Sequence, residues 1–166
     1  MNLKRTLRHL FAMRWRTRRL FSPAVLEEIE GAIRELESRH SGEVRFAVET
    51  AFDLVELWKG LPPRRRAEDL FGRLGVWDTA ENNGVLIYVL LADRDVEILA
   101  DRGIAKRVPP HEWEQVCRDI EGHYRAGRFR QGSIAGIRDV GALLARHFPR
   151  GRAEGNNELP NQPVLL

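Results

Sequence analysis

The stretch "GVLIYVLL", residues 84–91, narrows the fold more than any other part of the chain. After its glycine it is apolar throughout, and it is bounded by turn formers, Asn82 and Asn83 before it and "ADRD" after it. A run this short falls well below the roughly 18 apolar residues of a membrane span. It also lacks the alternation of a half-exposed strand. It reads as a central strand covered on both faces, as in sheets flanked by helices on either side.

The neighbouring segments complete that reading. "EVRFAVET" alternates Val44, Phe46 and Val48 with Arg45, Ala47 and Glu49, a strand with one face more deeply buried than the other. "LPPRRRAEDLFGRLG" supplies a short helix between the two strands, with Pro63 near its start and Gly75 near its end. A strand–helix–strand crossover makes the two strands parallel and right-handed. "ADRD" turns the chain, and "VEILA" returns as an antiparallel edge strand.

Helices flank this unit. "NLKRTLRHLFAMRWRTRRLF" reads as one helix with Leu3, Leu7, Leu10 and Phe11 on a common face. "SPAVLEEIEGAIRELESRHSG" has Ser22 as cap, Pro23 in the first turn and a stripe of Leu26, Ile29, Ile33 and Leu36. Beyond the sheet, one helix carries Trp113, Val116, Cys117, Ile120 and Tyr124 inward, and a last one carries Ile134, Ile137, Leu144 and Phe148. The closing residues are polar, rich in Gly and Pro and without period, the pattern of disorder. The expected fold class is α/β: a three-layer α/β/α sandwich around a small mixed sheet of two parallel strands and one antiparallel edge. The expected organisation is a basic amphipathic helix over 1–21, a globular domain over 22–148 and a disordered tail over 149–166.

Composition sets limits on function. At 43% hydrophobic and 31% charged residues the chain reads as soluble and globular, and it shows no signal-peptide pattern, so a cytoplasmic location is the expectation. A single cysteine, Cys117, excludes an internal disulfide and a Cys-rich zinc site. The net charge of +3 is unevenly spread. Lys4, Arg5, Arg8, Arg14, Arg16, Arg18 and Arg19 lie in the first 21 residues, which hold no acid, and the remainder is mildly acidic. Such an arm suits an anionic membrane surface, with Leu3, Leu7, Leu10, Phe11 and Trp15 inserted. It also suits packing on the domain or on a membrane-protein partner with its arginines outward. Nucleic-acid phosphates are a third fit, without any recognised motif to support them.

The ordered set "LFGRLGVWDTAENNGVLIYVLLADRDVEILADRGI" and "YRAGRFRQGSIAGI" resembles the TPM domain family of thylakoid-lumen, photosystem-repair and MOLO-type membrane proteins. Leu70-Phe71, Asp78, Asn83-Gly84-Val85, Asp93-Arg94, Gly103, Gly127 and Gly132 carry the resemblance, over roughly residues 22–148. It implies a Rossmann-like sandwich, divalent-metal binding in some members, usually calcium, and an acid-phosphatase activity attributed to a plant member. Many members look like accessory or binding modules of membrane assemblies. Arg128 stands where many relatives have Asp after the turn glycine; if that Asp serves a metal in relatives, this chain lacks the ligand.

Two sheet edges offer candidate sites. Where the middle strand begins and the third ends, Asp78, Glu81, Asn82, Asn83 and Asp101 offer the oxygen ligands that Ca2+ (or Mg2+) prefers, with Arg102 to offset charge on a phosphate. The same residues also suit ordinary turns, whose Asn and Asp bond their own backbone. At the opposite edge, the carboxyl ends of the parallel strands, Asp93, Arg94 and Asp95 form the alternative site, with Glu49 and Asp53 near. The five histidines show no metal-ligand spacing and read as surface or capping residues. Cys117, on the apolar face of its helix, reads as a buried inert thiol. The expected function is an accessory or binding module for a divalent metal or a protein partner, at the cytoplasmic membrane face. The alternative is a metal-dependent acid-phosphatase-like hydrolase of low specificity.

Overall fold

Residues 84–90 form a strand buried at every position, and the rest of the chain is arranged around it. The computed structural model describes residues 3–12, 14–149 and 157–166. In chain order the elements are α1 (Leu3–Leu10), α2 (Arg14–Leu20), α3 (Pro23–Glu37), β1 (Glu43–Glu49), α4 (Leu54–Trp58) and α5 (Pro63–Arg73). There follow β2 (Gly84–Leu90), β3 (Asp95–Ala100), α6 (Arg102–Ala105), α7 (Pro110–Arg125), α8 (Phe129–His147) and β4 (Val164–Leu165).

The sheet order is β3-β2-β1-β4. β1 and β2 are parallel, with Val44 opposite Val85 and Val48 opposite Val89; β3 runs antiparallel, with Ile98 opposite Ile87. The alternation along the strands sorts the core into two layers. Val44, Phe46, Val48, Val85, Ile87 and Val89 meet α3, α7 and α8 on one face. Ala47, Leu86, Tyr88 and Leu90 meet Leu57, Ala67 and Leu70 of α4 and α5 on the other. This is the expected three-layer α/β sandwich.

Three local expectations change. The amino-terminal segment is two helices, not one; the break after Leu10 lets α1 and α2 seat separately on the domain. The short helices α4 and α6 arise from the Asp53 and Asp101 caps, Asp53 in a reciprocal capping box with Glu56. The largest correction concerns the tail. Residues 150–156 lie outside the described residues, but those from 157 onward return to the sheet, and β4 pairs parallel with β1, Ala47 opposite Val164. The reason is the free edge of β1, whose unpaired backbone groups and half-covered outer face invite a strand. Leu159 fills the second core layer, its amide donates to Glu43 at 3.2 Å, and Arg45 donates to the carbonyls of Pro160 and Gln162. That closure also buries Arg45 and Glu43, which alternation alone would leave on the shallower face.

A second buried polar group fixes α5. Arg66 donates to both carboxylate oxygens of Glu49, at 2.9 and 2.8 Å, and Tyr88 Oη donates to the same carboxylate at 2.7 Å. The run Arg64-Arg65-Arg66 is therefore not one solvated face, since Arg66 points inward and Arg64 donates to the Ile98 carbonyl at 2.8 Å.

Replacing Leu159 with Ala is expected to destabilise the protein by about 2 kcal/mol or more, the usual cost of a core Leu truncation. Chemical denaturation of the two proteins measures it, and a disordered tail would leave the stability unchanged.

Candidate functional site

At the carboxyl end of the parallel strands the basic arm folds back onto the sheet. Asp93, in the turn after β2, accepts from Arg5 Nε at 2.7 Å and Arg8 Nη2 at 3.0 Å. His9 Nε2 lies 3.1 Å from the same carboxylate, while His9 Nδ1 accepts the Phe52 amide at 2.9 Å. Because Nδ1 accepts, the ring proton belongs on Nε2, facing Asp93. The Arg5 guanidinium sits over the Phe52 ring, 5.6 Å from its centroid. One helix further on, the hydroxyls of Thr17 and Thr50 share a hydrogen bond of 2.9 Å.

These contacts decide which way α1 faces. Its polar side, Arg5, Arg8 and His9, is turned to the domain, and His9 is buried rather than a surface residue. Its apolar side is turned out. Leu3 is 66% exposed, Leu7 43%, Leu10 54%, Phe11 67% and, on α2, Trp15 57%. Lys4, Arg14, Arg16, Arg18 and Arg19 are exposed beside this stripe. The helix is thus amphipathic in the expected sense but inverted with respect to the core. At the same end α4, which starts two residues after Phe52, exposes Leu54, Val55 and Trp58.

Of the alternative site, Asp93 is engaged by the arm and Arg94 is exposed with a left-handed backbone, φ 53°. Asp95 opens β3 with one carboxylate oxygen buried and undonated. Burial first, then the negative charges of Glu97, Glu121 and Asp93, push its carboxyl up to about 6. Glu49 and Asp53 serve the Arg66 pair and the α4 cap.

The opposite edge brings together part of the expected metal set. Asn83 is buried; its amide donates to Thr79 Oγ1 at 3.0 Å, its side-chain nitrogen donates to the Ser41 carbonyl, and its own carbonyl accepts from Glu43 N at 3.1 Å. Asp101 donates its amide to the Gly84 carbonyl at 2.9 Å and caps α6 through Oδ1, which accepts from Arg102 N at 2.6 Å. The second oxygen of each, Asn83 Oδ1 and Asp101 Oδ2, is buried without a donor. Glu81 lies at the rim and accepts from Ser41 Oγ at 3.1 Å. Asn82, at φ 51°, accepts the Gly103 amide at 3.0 Å. A Cβ on Gly103 would lie 2.5 Å from that carbonyl oxygen, so glycine there is a condition for the close approach. Asp78 is exposed in a separate turn. Among the described residues no three of His, Cys, Asp or Glu converge closely enough to hold a metal, so Asp78, Glu81 and Asp101 do not share one centre.

Cys117 is partly buried, and burial pushes its thiol up to about 12, far from a nucleophile's range.

The TPM-domain sequence profile matches residues 16–143. The chain belongs to the TPM-domain family. Among solved structures it is similar to the BA42 protein of the psychrophilic bacterium Bizionia argentinensis, at 32% identity and a TM-score of 0.76, over 87% of this chain and 94% of that one. The amino-terminal domain of a P. gingivalis protein shares the fold at 23% identity and TM-score 0.63, over 80% of this chain and 83% of that one. So does the amino-terminal domain of cg2496 from Corynebacterium glutamicum, at 12% identity and TM-score 0.58, over 82% and 81%. No curated protein matches the chain. The TPM profile begins inside α2, so α1 and its Asp93 contacts lie on residues that precede the matched domain.

The Asp95 environment sets a pH dependence. Its carboxyl holds a proton more tightly in the folded state, about 6 against the ordinary 3.8. Asp95 therefore lowers stability progressively as pH rises through that interval, and the whole cost is present above it. Asp95→Asn is expected to melt higher than the parent at pH 8 and alike near pH 3.5. Thermal melts at the two pH values check this; a variant less stable at pH 8 would show that the charge is favoured.

Proposed function

We propose that this TPM domain is a binding module that docks peripherally on an anionic lipid surface through its amino-terminal arm. The observation that supports this reading is the inverted amphipathic helix. Arg5, Arg8 and His9 pin α1 to Asp93 and Phe52, leaving Leu3, Leu7, Leu10, Phe11 and Trp15 facing solvent in a field of five exposed cations. An apolar stripe flanked by basic residues is the pattern of an interfacial helix. Each basic residue near an anionic surface adds roughly 1 kcal/mol. A stripe this apolar needs a cover, and the surrounding charge favours anionic lipid over a basic or neutral partner. No helix among the described residues is long and apolar enough to cross a membrane.

Co-sedimentation with phosphatidylserine-containing vesicles tests it. The intact chain is expected to bind them, to release with salt and to ignore purely zwitterionic vesicles. Leu3→Glu with Leu7→Glu is expected to abolish binding without changing the melting temperature, since both side chains face outward. Equal recovery with both lipid types, or a stripe covered instead by a second copy in sedimentation velocity, would contradict the reading.

A second reading rests on the other edge. Asn83 Oδ1 and Asp101 Oδ2 are buried hard oxygens without donors, and Glu81 accepts from the Asn83 side-chain nitrogen at 3.4 Å. This donor chemistry fits a divalent cation such as calcium, completed by backbone oxygen and water. With Asp101 the one carboxylate among these buried oxygens, the expected affinity is low. Calcium at millimolar concentration is then expected to raise the melting temperature of the parent. Asp101→Asn, which keeps a cap but loses the charge, should lose that rise. A rise that persists in the variant would place the ion elsewhere. Phosphatase chemistry would need a metal held by Asp78 and Asp101 together, and the exposed turn of Asp78 does not support that arrangement.

A further inference from the structure

Between the arm and the sheet lies a cavity of about 430 Å³. Arg8, Arg16 and Arg94 line one part of it; Leu20, Leu91 and Phe129 line another. No carboxylate lines it, because the one acid of the adjoining turn, Asp93, is turned onto Arg5 and Arg8. Thr17 and Thr50, the hydroxyl pair at its wall, share one hydrogen bond, which leaves one of the two O–H groups to donate into the cavity.

We propose that this cavity binds an anion carried on an apolar body: a phosphate or carboxylate group held by Arg16 and Arg94, with an acyl or aryl portion against Leu20, Leu91 and Phe129. Four observations lead there. The volume lies within the range of small-molecule sites, and the apolar walls with a few convergent polar groups match their usual lining. The cavity sits at the carboxyl end of parallel strands, where open α/β sheets take ligands. Arg16 and Arg94 enter no ion pair among the described residues, so their charge is uncompensated at the cavity. Finally, Arg94 holds a left-handed backbone, φ 53°, that glycine or asparagine would adopt with less strain. Arg8 and Phe11 come from α1 and its end, ahead of the matched TPM domain, so this cavity is formed only with the arm in place.

The inference does not rest on membrane docking, and its test separates the two. The probe is hexyl phosphate, titrated into the full chain and followed by amide NMR. Saturable shifts are expected at Thr50, Leu91 and Phe129, with inorganic phosphate binding more weakly because it leaves the apolar wall unused. Arg94→Gly should weaken hexyl phosphate about tenfold, the loss of one charge-assisted contact, while holding or raising the melting temperature by relaxing the turn. Arg16→Gln should weaken it likewise. Leu3→Glu with Leu7→Glu, which spoils only the outer stripe, should bind hexyl phosphate as the parent does. Competition by phosphatidic-acid vesicles would identify the anion as a lipid headgroup; its absence would identify a soluble phosphate ester, and either result upholds the site. The site is refuted if hexyl phosphate gives no saturable shifts, or if its affinity survives both arginine substitutions.

Discussion

The carboxylate of Asp93 governs the surface chemistry of this molecule. Its side chain is only 10% exposed, yet it sits in a turn at the sheet edge, and a carboxylate so placed needs donors. Arg5 and Arg8 supply them from one helical face, which also carries the His9 ring 3.1 Å from the same carboxylate. The alternative, packing Leu3, Leu7 and Leu10 inward, would bury more apolar area but would leave Asp93 desolvated and undonated. The half-buried Arg5 bond, the Arg8 bond and the His9 contact with the Phe52 amide hold the polar face to the domain. From that choice follow the outward apolar stripe and the cavity behind it.

The scaffold beneath is a β3-β2-β1 sheet between two helical layers, and those three strands lie within the residues that the TPM profile matches. This chain then covers the free edge of β1 with its own last residues, and Arg45 and Glu43 become buried polar clamps on that strand. Both termini thus return to β1, the arm to Thr50 and Phe52 just past its end, the tail to its edge. The two ends of the chain stabilise one strand.

What could be read from the sequence was whatever depended on local periodicity. "GVLIYVLL" gave a buried strand, Pro23 and Pro63 opened helices, and the Asn83-Gly84-Val85 turn with the Asp93-Arg94 turn pointed to the family. Long-range pairing was not legible. Nothing local in "LPNQPVLL" distinguishes an edge strand from a polar tail, because its partner is more than a hundred residues away. The hydrophobic face of α1 was plain, but its direction was not, since that depends on a carboxylate at position 93 lacking any nearer donor. At the amino edge Asp78 stands in a separate exposed turn, and Asn83 and Asp101 carry structural bonds with one oxygen each to spare. The cavity needed both ends of that account, since Arg8, Arg16 and Arg94 are scattered in sequence.

The most direct test of the central claim is hydrogen exchange of the Phe52 amide. In the parent chain it donates to His9 Nδ1, so it should exchange slowly, as a bonded and buried group does. Asp93→Ala should speed its exchange together with the amides of α1, while the amides of β2 stay protected. Fast exchange at Phe52 in the parent protein, with α1 equally fast, would mean that the arm is not held by its polar face, and the inverted helix would be wrong.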